Sequence, residues 1–154
     1  MPGASGYNRS SFRAKGPELF TEMKVELIVS NTDGSSKVLK TTTIKPVFPD
    51  VVFYPDDPLE GPNYLKAFQG ESSLTGDGEL GVRAEPYFFS LSELTSLIYG
   101  WKINGAYSNE NEKSQSLVFR AKDSTAKGQA GISLQIQNVK NVGQNGKSEV
   151  VINF

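Results

Sequence analysis

Asp56, Asp57 and Glu60 crowd into one short stretch, Tyr54-Pro55-Asp56-Asp57-Pro58-Leu59-Glu60-Gly61. Clustered carboxylate oxygens are what a calcium ion takes, about six to eight at a time. The spacing does not follow the ordered Asp-x-Asp-x-Asp-Gly of a calcium loop, so the other reading is a solvated, proline-rich turn. Tyr87, Phe88 and Phe89 are three consecutive aromatics. Neighbours on a strand face opposite ways, so at least one must leave the core. It is then covered by the partial first repeat or an adjacent repeat, or offered to a ligand or partner. Trp101, the single tryptophan, is either a ring packed between sheets or a platform on which a sugar stacks. Glu79 and Glu85 have the residue type for paired-carboxylate glycoside hydrolysis. Both fall on the solvent face of one strand, however, and nothing in the pattern predicts a cleft. The expectation is that the chain is not an enzyme.

Two absences narrow the chemistry further. The 154 residues contain no cysteine and no histidine. Disulfides, thiolate nucleophiles and zinc–sulfur sites are thereby excluded. So are Ser-His-Asp and Cys-His catalysis. The formal charge is −1, from 16 basic and 17 acidic residues of interspersed sign. A phosphate-binding surface shows as a basic excess or stripe, so nucleic acid is not an expected partner. No apolar run reaches the ~18 residues of a membrane span. Met1-Pro2-Gly3-Ala4-Ser5-Gly6 lacks the profile of a signal peptide. For an exported protein, the signal and anchor are expected outside this chain.

The elements that would hold these residues read as strands. Met23, Val25, Leu27 and Val29 alternate with Lys24, Glu26 and Ile28, and Leu80, Val82 and Ala84 alternate with polar neighbours. Leu97, Tyr99, Trp101 and Ile103 form the most apolar face. Leu117 with Phe119, then Ile132, Leu134 and Ile136, then Val150, Ile152 and Phe154 continue the period. Such alternation puts one face on a core and the other in water. The expected core is therefore Tyr99, Trp101, Phe119, Ile132, Leu134 and Ile136. Turn signals separate the runs at Asp33-Gly34, Asp77-Gly78, Asn104-Gly105 and Asn145-Gly146. Ser92–Ser96 is the one helix-like stretch, long enough for a single turn. Short, evenly spaced strands indicate an all-β sandwich or barrel.

An internal repeat organises them. Phe12-Arg13-Ala14-Lys15 recurs 107 residues later as Phe119-Arg120-Ala121-Lys122. At that offset Met23, Val25, Leu27 and Val29 fall on Ala130, Ile132, Leu134 and Ile136, and Asn31 falls on Asn138. After a one-residue gap Ile44 meets Ile152. The inward phase is kept throughout, as a structural repeat requires. The period suits an immunoglobulin-type sandwich of roughly 100 residues. Residues 1–46 are then expected to be the C-terminal half of one repeat, its last three strands, and residues 47–154 a complete domain. Lys45-Pro46-Val47-Phe48-Pro49 is the hinge, stiffened by two prolines. Three strands alone are marginal, so the half-repeat is expected to pack on the complete domain, pair with another copy or order poorly.

Tyr99-Gly100-Trp101-Lys102-Ile103-Asn104-Gly105 resembles the third strand of polycystic-kidney-disease-type and related bacterial immunoglobulin-like repeats. In those repeats an aromatic-x-Trp pair precedes a tight turn; here Lys-Ile-Asn-Gly stands where Asp-Phe-Gly-Asp-Gly is usual. Gly131-Ile132-Ser133-Leu134-Gln135-Ile136-Gln137-Asn138 resembles their penultimate strand. Pro49–Tyr54, Pro58–Gly61 and Glu85–Ser90 are similar to stretches in surface repeat proteins of candidate-phylum bacteria. The resemblance implies an immunoglobulin-like antiparallel β-sandwich preceded by a partial repeat, at the cell surface or secreted. It implies a structural spacer partnered by neighbouring repeats, or an adhesion module that contacts glycan or a surface protein. No cofactor is expected beyond the calcium that Asp56, Asp57 and Glu60 could hold.

Overall fold

The computed structural model describes residues 5–74, 78–108, 114–121 and 127–154. They form two compact units, Met1–Val47 and Phe48–Phe154. The turn residue Asp77 and the repeat residue Lys122 lie outside the described residues.

The first unit is built on a hairpin of β1 (Met23–Ser30) and β2 (Lys37–Ile44). The strands are antiparallel, from Met23 opposite Ile44 to Ser30 opposite Lys37. Val25 faces Thr42, Ile28 faces Leu39 and Val29 faces Val38, and the β-branched members of these pairs suit a pleated surface. The connection is closed by side chains. Asn31 Oδ1 accepts the Ser36 N–H at 2.8 Å, Asp33 Oδ1 accepts the Ser35 N–H at 2.9 Å, and Gly34 supplies a φ of +74°. Sequence spacing anticipates a third strand at Phe12–Lys15, and it does not form. Its counterpart, Phe119 with Arg120, is a strand because it pairs with Leu80 and Glu79. No described strand pairs with residues 12–15.

In chain order the second unit runs β3 (Asp50–Asp57), β4 (Gly61–Pro62), β5 (Glu71–Ser73), β6 (Glu79–Tyr87), β7 (Leu97–Ile103), β8 (Ala106–Tyr107), β9 (Ser116–Arg120), β10 (Gln129–Asn138) and β11 (Asn145–Asn153). One sheet has the order β4-β3-β6-β9, the other β5-β11-β10-β7-β8. Inward residues of the first are Val51, Phe53, Val82, Ala84, Leu117 and Phe119. Those of the second are Leu97, Tyr99, Trp101, Ala130, Ile132, Leu134, Ile136, Val150 and Ile152, and all are buried in one core. The fold is an all-β sandwich. It departs from a purely antiparallel one at β5, which runs parallel to β11. After β4 the chain runs back along β3, with the Asn63 N–H on Pro55 O and the Phe68 N–H on Phe53 O, and it reverses at Gly70, φ +73°, into β5.

The connections follow local chemistry, with one exception. Asn104 and Gly105, at φ of +50° and +80°, form the tight turn between β7 and β8, in which Ile103 faces Ala106. Leu91–Ser96 is a six-residue 3-10 segment of two turns between the two sheets, one turn longer than the sequence suggests. Asn145-Gly146 is not a turn. It opens β11, where a β-carbon on Gly146 would lie 2.9 Å from Val51 Cγ2 and 3.4 Å from Phe89 Cζ. The glycine there is a packing residue.

The β1–β2 and β10–β11 hairpins share one register. Met23 faces Ile44 as Ala130 faces Ile152, and Ser30 faces Lys37 as Gln137 faces Asn145. The same backbone bond closes each loop, Asn31 N–H to Ser36 O at 3.2 Å and Asn138 N–H to Gln144 O at 3.0 Å. One extra residue in the second loop absorbs the change of offset. The two differ in cover. Leu134 is 2% exposed, whereas Leu27 at the equivalent place is 56% exposed.

Candidate functional site

The outer face of the four-stranded sheet carries the densest polar cluster. Gly81 makes it possible, since a β-carbon there would stand 2.0 Å from the Asp56 carbonyl oxygen. The end of β3 therefore lies directly on β6. Gly61, at φ +79°, turns the chain back, and the Asn63 N–H donates to Pro55 O at 2.8 Å. This sets the Tyr64 ring edge-on to Tyr54, centroids 5.2 Å apart. The Tyr64 hydroxyl donates to Glu85 Oε1 at 2.9 Å, and Arg83 Nε donates to the same oxygen at 2.9 Å. Arg83 also donates to Gln115, and Ser116 Oγ donates to Asp56 Oδ2 at 2.8 Å. The hydroxyls of Tyr54 and Tyr87 meet at 3.0 Å.

Electrostatics follow from these partners. The hydrogen bond to Tyr54, helped by burial, pushes the Tyr87 hydroxyl up to about 12. The bond to the Glu85 carboxylate raises Tyr64. Burial works against the Arg83 charge, yet Glu85 holds that guanidinium above its ordinary value. Each charged group in the cluster is paired. The network ties the segment after β4, β6 and β9 together. It fixes the sheet's outer face.

The residues singled out by the sequence are not drawn into one place. Asp57 Oδ1 accepts the Leu59 and Glu60 N–H groups at 2.8 and 3.0 Å, which caps its own turn and lowers its pKa. Asp56 turns instead to Ser116. Among the described residues no three acidic side chains gather as a metal site. Tyr87 is half exposed on the outer face, Phe88 is exposed, and Phe89 enters the core. Phe88 sits at φ +62°, which breaks the strand alternation and lets Phe89 turn inward. Trp101 is 1% exposed and stacks on Phe53 at 5.3 Å, and its Nε1 donates to Ser114 O at 2.9 Å. Glu79 pairs with Arg120 and Glu85 with Arg83, six residues apart on β6. That is about 20 Å along a strand, too far for the two to work on one bond.

A second feature was not anticipated. On the outer face of the five-stranded sheet two adjoining depressions of about 520 and 530 Å³ share Gly100 and Gln135 as floor. Lys102, Ser133, Lys147 and Glu149 line one, Ile98, Tyr107 and Gln137 the other. The Tyr107 ring borders the trough, 3.7 Å from where a Gly100 β-carbon would be, and Lys102 Nζ lies 4.4 Å over it. The available signal was Gly100 itself, a residue without a side chain in the middle of an aromatic strand.

No protein-family model and no curated protein matches this chain. Function has to be argued from the geometry. Among the described residues no helix is long and apolar enough to cross a membrane.

Proposed function

We propose that this chain is a structural, non-catalytic piece of an extended bacterial surface or secreted protein: one immunoglobulin-like module, preceded by the closing hairpin of another. The observation that carries this reading is the common register of β1–β2 and β10–β11, down to the backbone bond that closes each loop. Two unrelated hairpins have no reason to keep one pairing scheme with the apolar residues in one phase. The strand order supports the immunoglobulin-like assignment. β3, β6 and β9 stand where the A, B and E strands of that fold stand. β11, β10 and β7 stand where G, F and C do, with the buried Trp101 on the C strand. β5 pairing parallel to β11 suits a first strand that switches sheets. The surface location and bacterial source rest on the resemblance of the β7 and β10 segments to bacterial repeat modules.

Scattering from the parent polypeptide tests the reading. A spacer lengthens by one module, about 33 Å for a ten-residue strand, with each repeat included. A maximum dimension that stays constant as modules are added overturns it. The trough beside Tyr107 favours a second reading, recognition of a glycan or surface protein. Saturable binding on a glycan array, lost in Tyr107→Ala, would establish that reading.

A further inference from the structure

The β1–β2 hairpin presents an apolar face formed by Met23, Val25, Leu27, Val29, Val38 and Ile44. Leu27, Val29 and Val38 are each more than half exposed. Its register twin shows what covers such a face. In β10–β11 the equivalent positions are sealed by Val51, Phe53, Val82, Leu117 and their neighbours on the opposite sheet. We propose that the face of β1–β2 is a docking surface for the apolar inner face of a β3–β6–β9-type sheet, supplied by a preceding module of the same polypeptide. This inference rests on the tandem-module reading and names its partner.

The register also argues against this chain's own sheet, in a second copy, as the occupant. Val38 takes the place of Gly146, and a β-carbon at that place already meets Val51 Cγ2 at 2.9 Å. A valine there collides with Val51 unless the sheet yields. Lys40, opposite Leu27, takes the place of Ser148, opposite Leu134, and adds bulk and charge to the same side. The partner sheet is therefore smaller than this one across from Val38 and open to water or acidic across from Lys40. The same mismatch keeps neighbouring modules from exchanging hairpins, a hazard of repeat proteins.

The absence of native cysteine gives a clean test. Leu27→Cys and Val29→Cys report the docking face, and Ile28→Cys and Thr41→Cys report the other. Maleimide labelling rates are compared in the 154-residue chain and in the parent polypeptide that includes the preceding ~60 residues, the remainder of a module. The expected result is similar rates at all four sites in the shorter chain at every concentration. In the longer polypeptide, Leu27→Cys and Val29→Cys slow by roughly tenfold or more while the other two are unchanged. Equal rates in the longer polypeptide overturn the proposal. So does protection that grows with concentration of the shorter chain, which makes a second copy the occupant. A parent gene without strands in the preceding segment overturns it too. The spacer reading is judged separately by the scattering length, so either can fail while the other stands.

Discussion

Phe53 and Trp101 stack across the two sheets with ring centroids 5.3 Å apart and planes 22° from parallel. Each is at most 2% exposed. The pair joins β3 to β7, strands of different sheets, at the centre of the core. Truncating either ring leaves a cavity that rigid neighbouring strands fill only in part. Trp101→Ala or Phe53→Ala should cost about 3–5 kcal/mol in urea unfolding. A cycle with both changes should show about 0.5–1.5 kcal/mol of coupling. Trp101 fluorescence in the unmutated chain should begin blue-shifted and move to the red in the same transition as circular dichroism. Two separate transitions would show that this pair does not sit in the cooperative core.

Gly146 marks a close approach between β11 and β3. Gly146→Val should destabilise the chain by about 1–3 kcal/mol through overpacking against Val51. Gly146→Val combined with Val51→Ala should recover part of that loss, because the second change removes the methyl group in the way. Thermal melts of the two single variants and the double variant measure it. Additive losses would mean that Gly146 is needed for backbone freedom and not for space.

How much of this was legible beforehand depends on what each residue answers to. The inward phase of Val82, Trp101, Ile132 and Leu134 reflects a period of two, which is local, and the all-β architecture follows from it. Gly146 was misread as half of a turn because Asn-Gly has that meaning only when the chain must reverse there. What fixes Gly146 is Val51, remote in sequence. Phe12–Lys15 has the composition of a strand but lacks the neighbour that makes Phe119-Arg120 one. The Tyr54–Tyr64–Glu85–Arg83 network was invisible for a similar reason. It depends on Gly81 admitting the Asp56 backbone, and no periodicity reports a close approach. The trough answers to Gly100, visible in the sequence but with no sign there of what lies beside it, whereas the separation of Asp56 from Asp57 is set by where their hydrogen-bond partners stand in three dimensions.

Tyr87 gives a pH dependence with a definite sign. Its hydroxyl is held up to about 12 in the folded chain, against 10.0 for the ordinary group. The folded state therefore keeps a proton that the unfolded state releases. The contribution is fully present below pH 10 and is lost as pH rises through about 12. Stability should fall across that window, and Tyr87→Phe should flatten the fall. Phenolate absorbance should show a late-titrating tyrosine that disappears in Tyr87→Phe and moves earlier in Tyr54→Phe. An unchanged late tyrosine in Tyr54→Phe would mean that burial, not the hydrogen bond, sets the value.

Asn138 is the one buried polar side chain among the described residues, at 0% exposure, and its partners account for it. Its Nδ2 donates to Glu93 Oε2 at 2.7 Å and to Gln144 Oε1 at 3.0 Å, while Oδ1 accepts the Lys140 N–H at 2.9 Å. It thus ties the β10–β11 loop to the 3-10 segment between the sheets. Asn138→Ala strands those groups away from water and should cost about 1–3 kcal/mol. Asn138→Asp is the sharper test. It replaces the two donating hydrogens with a carboxylate facing Glu93, so repulsion and burial both disfavour the charge. Its pKa in the folded state is expected above the unfolded value of about 3.9. The deficit should therefore be largest near neutral pH and shrink as pH falls through that raised value and the carboxyl becomes neutral. Melting curves of both variants from neutral to acidic pH decide it, since a deficit in Asn138→Asp that ignores pH would place the Glu93 carboxylate elsewhere.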